Sequence, residues 1–192
     1  MRAKNLVKLF ALLTFLFGLG ILIMVFINVV TTGGDNPTTY TGSDIIFGAK
    51  KTYTLNGGFF TIYDASLSID FSFILLLAFF LPMVLSIILF IVEFTSNSHF
   101  VKLIVGILTL AGFVVSLIFI ILLRDFATAT ISSDNDTIKT AITALFGQCP
   151  YTFKFIKDYQ FAIGAILGIV FAGCGIVSTA IYSVLNILKP GK

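Results

Sequence analysis

Charge is the scarcest commodity in this sequence. Only 11% of its 192 residues are Asp, Glu, Lys or Arg, against about 25% in an ordinary soluble domain. Hydrophobic residues make up 58% and the mean hydropathy is +1.08, so the solvent to reason with is a bilayer. Tryptophan is absent, and His99 is the single histidine. One imidazole excludes a multi-histidine metal centre and an H-E-x-x-H helix within the chain. The two cysteines, Cys149 and Cys174, stand at no CxxC or metal-ligand spacing. Cys174 lies in an apolar run and Cys149 in a polar loop, so no disulfide between them is expected. No phosphate-cradling glycine loop occurs, since Gly18-Leu-Gly20 falls inside an apolar run. The net charge of +3 includes no long basic run, which argues against nucleic acid as a partner.

What the chain has instead is long apolar runs, at about residues 9–30, 71–92, 103–123 and 161–188. Each exceeds the roughly 20 residues needed to cross a hydrocarbon core about 30 Å thick. The central pair, joined by the short polar segment 93–102, must fold straight back as an antiparallel membrane hairpin. The basic start (Arg2, Lys4, Lys8) precedes an apolar run too long for a signal peptide, so the first run reads as a retained span. The expected fold is therefore an all-α integral membrane protein, one four-span domain over residues 1–192. No ionisable residue falls within these runs. That argues against a self-sufficient pump or ion-coupled transporter, which needs such groups or unwound polar helix segments.

Two loops, 31–70 and 124–160, have patterns of their own. In the first, Asn56-Gly57-Gly58 is a hairpin signal between alternating segments 51–55 and 59–63. A two-residue turn there places Tyr53, Leu55, Phe60 and Ile62 on one face. Residues 45–47 are the candidate third strand of a small β-meander. In the second, Ile138, Ala141, Ile142, Leu145 and Phe146 form the stripe of an amphipathic helix, with Ser133 or Asp134 as its cap and Gly147 and Pro150 as its stop. Tyr151, Phe153 and Phe155 then alternate as a strand or an aromatic collar. The apolar face of the first loop is expected to pack against the helix face of Ile138, Ile142, Leu145 and Phe146, or against the collar 151–155, as a small extracellular cap.

Orientation follows from the basic residues. Arg2, Lys4, Lys8, Lys102, Lys189 and Lys192 lie in short segments beside spans, on the side opposed by Glu93 alone. The long loops carry all the aspartates. The positive-inside rule then places both termini in the cytoplasm and both loops outside, in a multi-pass protein of the cell membrane. His99 thereby stands across the membrane from every aspartate, so a Ser-His-Asp triad is not expected. No enzyme activity and no cofactor are expected.

The last span carries Gly164, Gly168, Ala172, Gly175 and Thr179 within an arc of about 80°, a small-residue face of the kind through which membrane helices associate. Its use is internal packing or the contact of a homo- or hetero-oligomer. Ala11, Thr14 and Gly18 on the first span, and Thr109, Gly112 and Ser116 on the third, are small faces that could receive it. Pro82 interrupts the second span as a kink or a hinge, with Ser86 placed to help satisfy the local backbone. Asn135-Asp136-Thr137 is a glycosylation sequon on the outer side.

In layout, with both ends inside, strands in the first outer loop and a helical piece in the second, the chain resembles the claudins and related tetra-spanning families. Their outer loops make adhesive or partner contacts. The resemblance covers the order of spans and loops and no residue motif. The tryptophans and cysteine pair of the claudin first loop have no counterpart in residues 31–70, so no site residue is transferred. The functional expectation is a membrane protein whose cap, through Tyr53, Phe60, Ile62, Ile142 and Phe146, contacts a protein partner as an adhesion module or assembly subunit. The alternative is an oligomeric channel or transporter component assembled through the small-residue face of the last span. Membrane lipid is a partner in either case.

Overall fold

A computed structural model of the protein describes residues 2–32, 37–56, 62–154 and 159–188. Its frame is four long helices, α1 (Arg2–Ile23), α3 (Phe73–Thr95), α4 (His99–Ile121) and α7 (Ile163–Ile187). All four are long and apolar enough to cross a membrane. Each of α1 and α4 packs against both α3 and α7. This gives an up-down-up-down square in which every neighbour is antiparallel.

Polar seams tie the helices together from within. Between α1 and α7, Thr14 Oγ1 lies 3.0 Å from Ser178 Oγ and 3.5 Å from Thr179 Oγ1. Between α3 and α4, Thr109 Oγ1 lies 3.3 Å from the Leu85 carbonyl, and Ser116 Oγ donates to the Ala78 carbonyl. The second bond answers Pro82. A proline inside a helix has no N–H to give the carbonyl four residues back, and here that carbonyl is Ala78. The donor comes from the neighbouring helix; Ser86, the expected helper, donates to Met83 O instead.

The spans end differently from the apolar runs. The first does not reach residue 30: α1 passes through a short 3-10 turn (Met24–Phe26) into strand β1 (Asn28–Thr32). Apolarity alone does not distinguish helix from strand, and the β-branched Val29-Val30-Thr31-Thr32 favours extended backbone. The connector between α3 and α4 is also shorter than expected, only residues 96–98, because Ser98 caps α4 by accepting from the Val101 N–H. Glu93 and Lys102 are consequently inside helices, which corrects the expectation that no span carries an ionisable residue.

The cap is a second structural layer, so the fold is a helical bundle with β-sheets rather than all-α. The remaining elements are β2 (Thr39–Thr41), α2 (Gly42–Phe47), β3 (Lys50–Asn56), β4 (Ile62–Ile69), α5 (Leu123–Phe126), β5 (Thr128–Ser132), α6 (Asp136–Phe146), β6 (Tyr151–Lys154) and β7 (Tyr159–Phe161). They form two antiparallel sheets, ordered β2-β1-β7 and β3-β4-β5-β6. Both sheets join the first loop to the second. In the larger one, Leu67, Ile131 and Tyr151 are in register, as are Ile69, Ala129 and Phe153. That face packs on the bundle core. The alternate positions are hydroxyls, with Ser66 Oγ 2.9 Å from Ser132 Oγ and Thr130 Oγ1 2.8 Å from Thr152 Oγ1.

Two local expectations change. Residues 45–47 lie in α2, not a strand, because Thr41 and Asp44 close a capping box ahead of them. The β3–β4 register pairs Asn56 with Ile62, a parity that a two-residue turn within 56–58 would not give. Ile62 thus shares its parity with Thr52 and Thr54 and not with Tyr53 and Leu55. Phe60 lies outside the described residues.

Candidate functional site

Two places collect groups that the bundle does not need for spanning. The first is α6, at the sheet end of the bundle. Asn135 caps this helix, its Oδ1 accepting from Thr137 N at 2.9 Å and Ile138 N at 3.4 Å. The sequon asparagine thus serves as the cap in place of Ser133 or Asp134. Gly147 ends the helix at φ 83°, a left-handed conformation that costs glycine little. Ile142 is 6% exposed and anchors the helix to the cap, whereas Leu145 is 76% and Phe146 44% exposed. Phe146 stacks on Tyr151 at 4.6 Å, and Tyr151 on Phe153 at 6.2 Å. The collar is thus an aromatic ladder that runs from the bundle core to an open apolar end. Of the other expected surface residues, Tyr53 and Ile62 lie on paired backbone of β3 and β4.

The small-residue face of α7 is turned inward. Gly164, Gly168, Ala172, Gly175 and Thr179 are all buried within the single chain. A Cβ on Gly164 would stand 2.8 Å from the Asn28 carbonyl of β1, and one on Gly175 would collide with the Phe113 ring. The neighbours that fill this face are β1, α1 and α4. Cys174 points the other way and is exposed, while Cys149 is half-buried; both are free thiols.

The second place is the end of the bundle opposite the cap, and the sequence reading missed it. Glu93 is 7% exposed. Lys102 Nζ lies 3.1 Å from its Oε2 and donates to its backbone carbonyl at 3.0 Å. Tyr182, fully buried on α7, reaches across the diagonal of the square to donate to the same Oε2 at 3.0 Å. Asn186 Nδ2 donates to the Tyr182 carbonyl at 3.2 Å. Lys8 extends from α1 with its ammonium 5.1 Å from the centre of the Phe94 ring, a cation–π distance. All four long helices therefore meet here. Beside them opens a cavity of about 290 Å³ bordered by Lys8, Ser96, Asn97, His99, Lys102 and Asn186, with Glu93 also in its wall. The overlooked signal was Ser98, a helix N-cap one residue before His99. It starts α4 early enough to hold Lys102 inside that helix, facing Glu93 in the last turns of α3.

What the two sites can do differs. The one at α6 offers apolar and aromatic contact area, and the one at the opposite end offers ammonium groups and neutral polar groups around a half-open cavity. No group of three or more His, Cys, Asp or Glu placed to hold a metal ion occurs among the described residues. The sequence matches no protein-family model, and no curated protein is significantly similar to it.

Proposed function

We propose that this chain is a non-enzymatic multi-pass protein of the cell membrane, with both termini cytoplasmic, whose extracellular cap contacts a protein partner. It acts as an adhesion module or as a subunit of a membrane assembly. The observation that carries this reading is the open end of α6. Leu145 and Phe146 stand exposed on a helix otherwise anchored by Ile142, at the head of an aromatic ladder. Aromatic anchors at the centre of an apolar patch are the usual source of binding energy in protein interfaces. The small residues of α7 are buried against β1, α1 and α4 of the same chain, which supports the cap reading over a channel assembled through that face.

The test is cross-linking and affinity capture of the full chain in its native membrane, comparing wild type with Leu145→Ser/Phe146→Ser. Loss of a specific protein partner in the variant, with Gly168→Ala retaining it, is the expected result. Unchanged capture would overturn the assignment of the surface. Depth-dependent quenching of a probe at position 145 by lipid spin labels would instead make this end a membrane-dipping patch. Ion conduction by the reconstituted protein alone would restore the channel reading.

A further inference from the structure

We propose that the cavity at the end of the bundle opposite the cap binds a phosphate group, and so recognises either an anionic lipid headgroup or a small phosphorylated solute. The proposal does not depend on what the cap contacts. Three facts lead to it.

The first is the charge balance at the cavity. Among the described residues Glu93 is the only acid on its wall, and its carboxylate is already engaged by Lys102 and by the Tyr182 hydroxyl. Lys8 has no ion-pair partner among the described residues; its ammonium rests on the Phe94 ring. The potential in the cavity is therefore set by Lys8, with His99 facing it from α4.

The second is the supply of hydrogen-bond donors. Ser96, Asn97 and Asn186 border the cavity with neutral polar groups. The first turn of α4 begins at His99; Ser98 takes the Val101 N–H, and the N–H groups of His99 and Phe100 have no carbonyl partner within the helix. An ammonium outside any ion pair, neutral polar groups and a helix start around one space suit a phosphate, and they suit an apolar or cationic occupant poorly.

The third is position. The cavity sits where α3 turns into α4, at the end of two helices of membrane-spanning length. That is the level of lipid phosphates. Its volume of about 290 Å³ admits one headgroup-sized ligand.

The test uses the full chain in neutral detergent, with native mass spectrometry in the presence of phosphatidylglycerol or phosphatidylcholine, and a separate thermal-shift titration with inorganic phosphate. The expected result is one phosphatidylglycerol held per chain in preference to phosphatidylcholine, with affinity falling about fivefold in Lys8→Gln, the effect of one lysine near an anionic surface. Lys8 and His99 are both exposed. The unliganded melting midpoints of Lys8→Gln and Lys8→Gln/His99→Gln should therefore fall by no more than the loss of one exposed cation–π contact, which separates lost binding from lost folding. If inorganic phosphate raises the midpoint and displaces the lipid, the recognised group is a soluble phosphate; if only the lipid binds, it is a headgroup. Equal binding of the two lipids with no response to phosphate would overturn the proposal. So would undiminished binding by Lys8→Gln/His99→Gln.

Discussion

The two ends of the bundle are held in opposite ways. At the cap end, cohesion is spread over two antiparallel sheets, an apolar sheet face on the core and a row of hydroxyl pairs. At the other end it is concentrated in a few atoms, where one buried carboxylate joins α3 to α4 and α7. Distributed bonds fail a little at a time. A concentrated cluster fails as a unit, because removing one partner leaves a charge stranded away from water.

The sharpest way to break the comparison is Lys102→Met. With Glu93 left buried and unpaired, stability should fall by about 3–5 kcal/mol, read as thermal or denaturant unfolding in detergent micelles. Adding Glu93→Gln to the same chain should recover most of that loss. A double variant as unstable as the single one would show that packing, not charge, holds this end. Next in size is Gly175→Ala, whose methyl group must displace the buried Phe113 ring, at a cost of about 1–3 kcal/mol for overpacking. Melting at the wild-type midpoint would mean that α4 and α7 separate without penalty.

A cap-end counterpart is Asn135→Ala. It removes the acceptor for two α6 amides and should cost about 1 kcal/mol. The loss should register as faster amide exchange in α6 while the four long helices stay protected. A drop as large as that of Lys102→Met would erase the distinction between the ends. Smallest is Ser116→Ala, at about 0.6 kcal/mol, the typical value of an interhelical hydrogen bond in a membrane protein. Its origin can be isolated with Pro82→Ala. Once residue 82 again supplies an N–H to Ala78, losing the serine hydroxyl should cost less, and strict additivity in the double-variant cycle would deny the link between the two.

The four long helices were legible because a bilayer demands one thing of a span, an unbroken apolar length, and the sequence displays it directly. Their ends were not, because apolarity carries no sign of conformation. Val29 and Val30 extend the first hydrophobic run and yet form a strand. The α6 helix was visible in its stripe and its Gly147 stop. The pairing of β4 with β5 and of β1 with β7 was not, since hydrogen bonds between distant strands leave no local trace in either. Glu93 stayed hidden for a related reason. A charged residue at the edge of an apolar run marks a span boundary by default, and only its partners Lys102 and Tyr182, on other helices, make its burial affordable. The same holds for Ser116, whose role depends on a proline in another helix.

The β1–β7 pairing bears on how the molecule is made. Val30, just past the first span, pairs with Phe161, just before the last. A nascent chain inserted one hairpin at a time thus carries an open strand edge on β1 until the whole second loop has been synthesised. Closing that edge is a late event in biogenesis, since contacts between distant residues must await the chain that separates them. Until then the smaller sheet lacks one of its three strands, and a chain stalled or truncated before residue 159 exposes β1 to whatever strand it meets first. Completion of the smaller sheet thereby requires the first three spans and the second loop, because β7 directly precedes the last span.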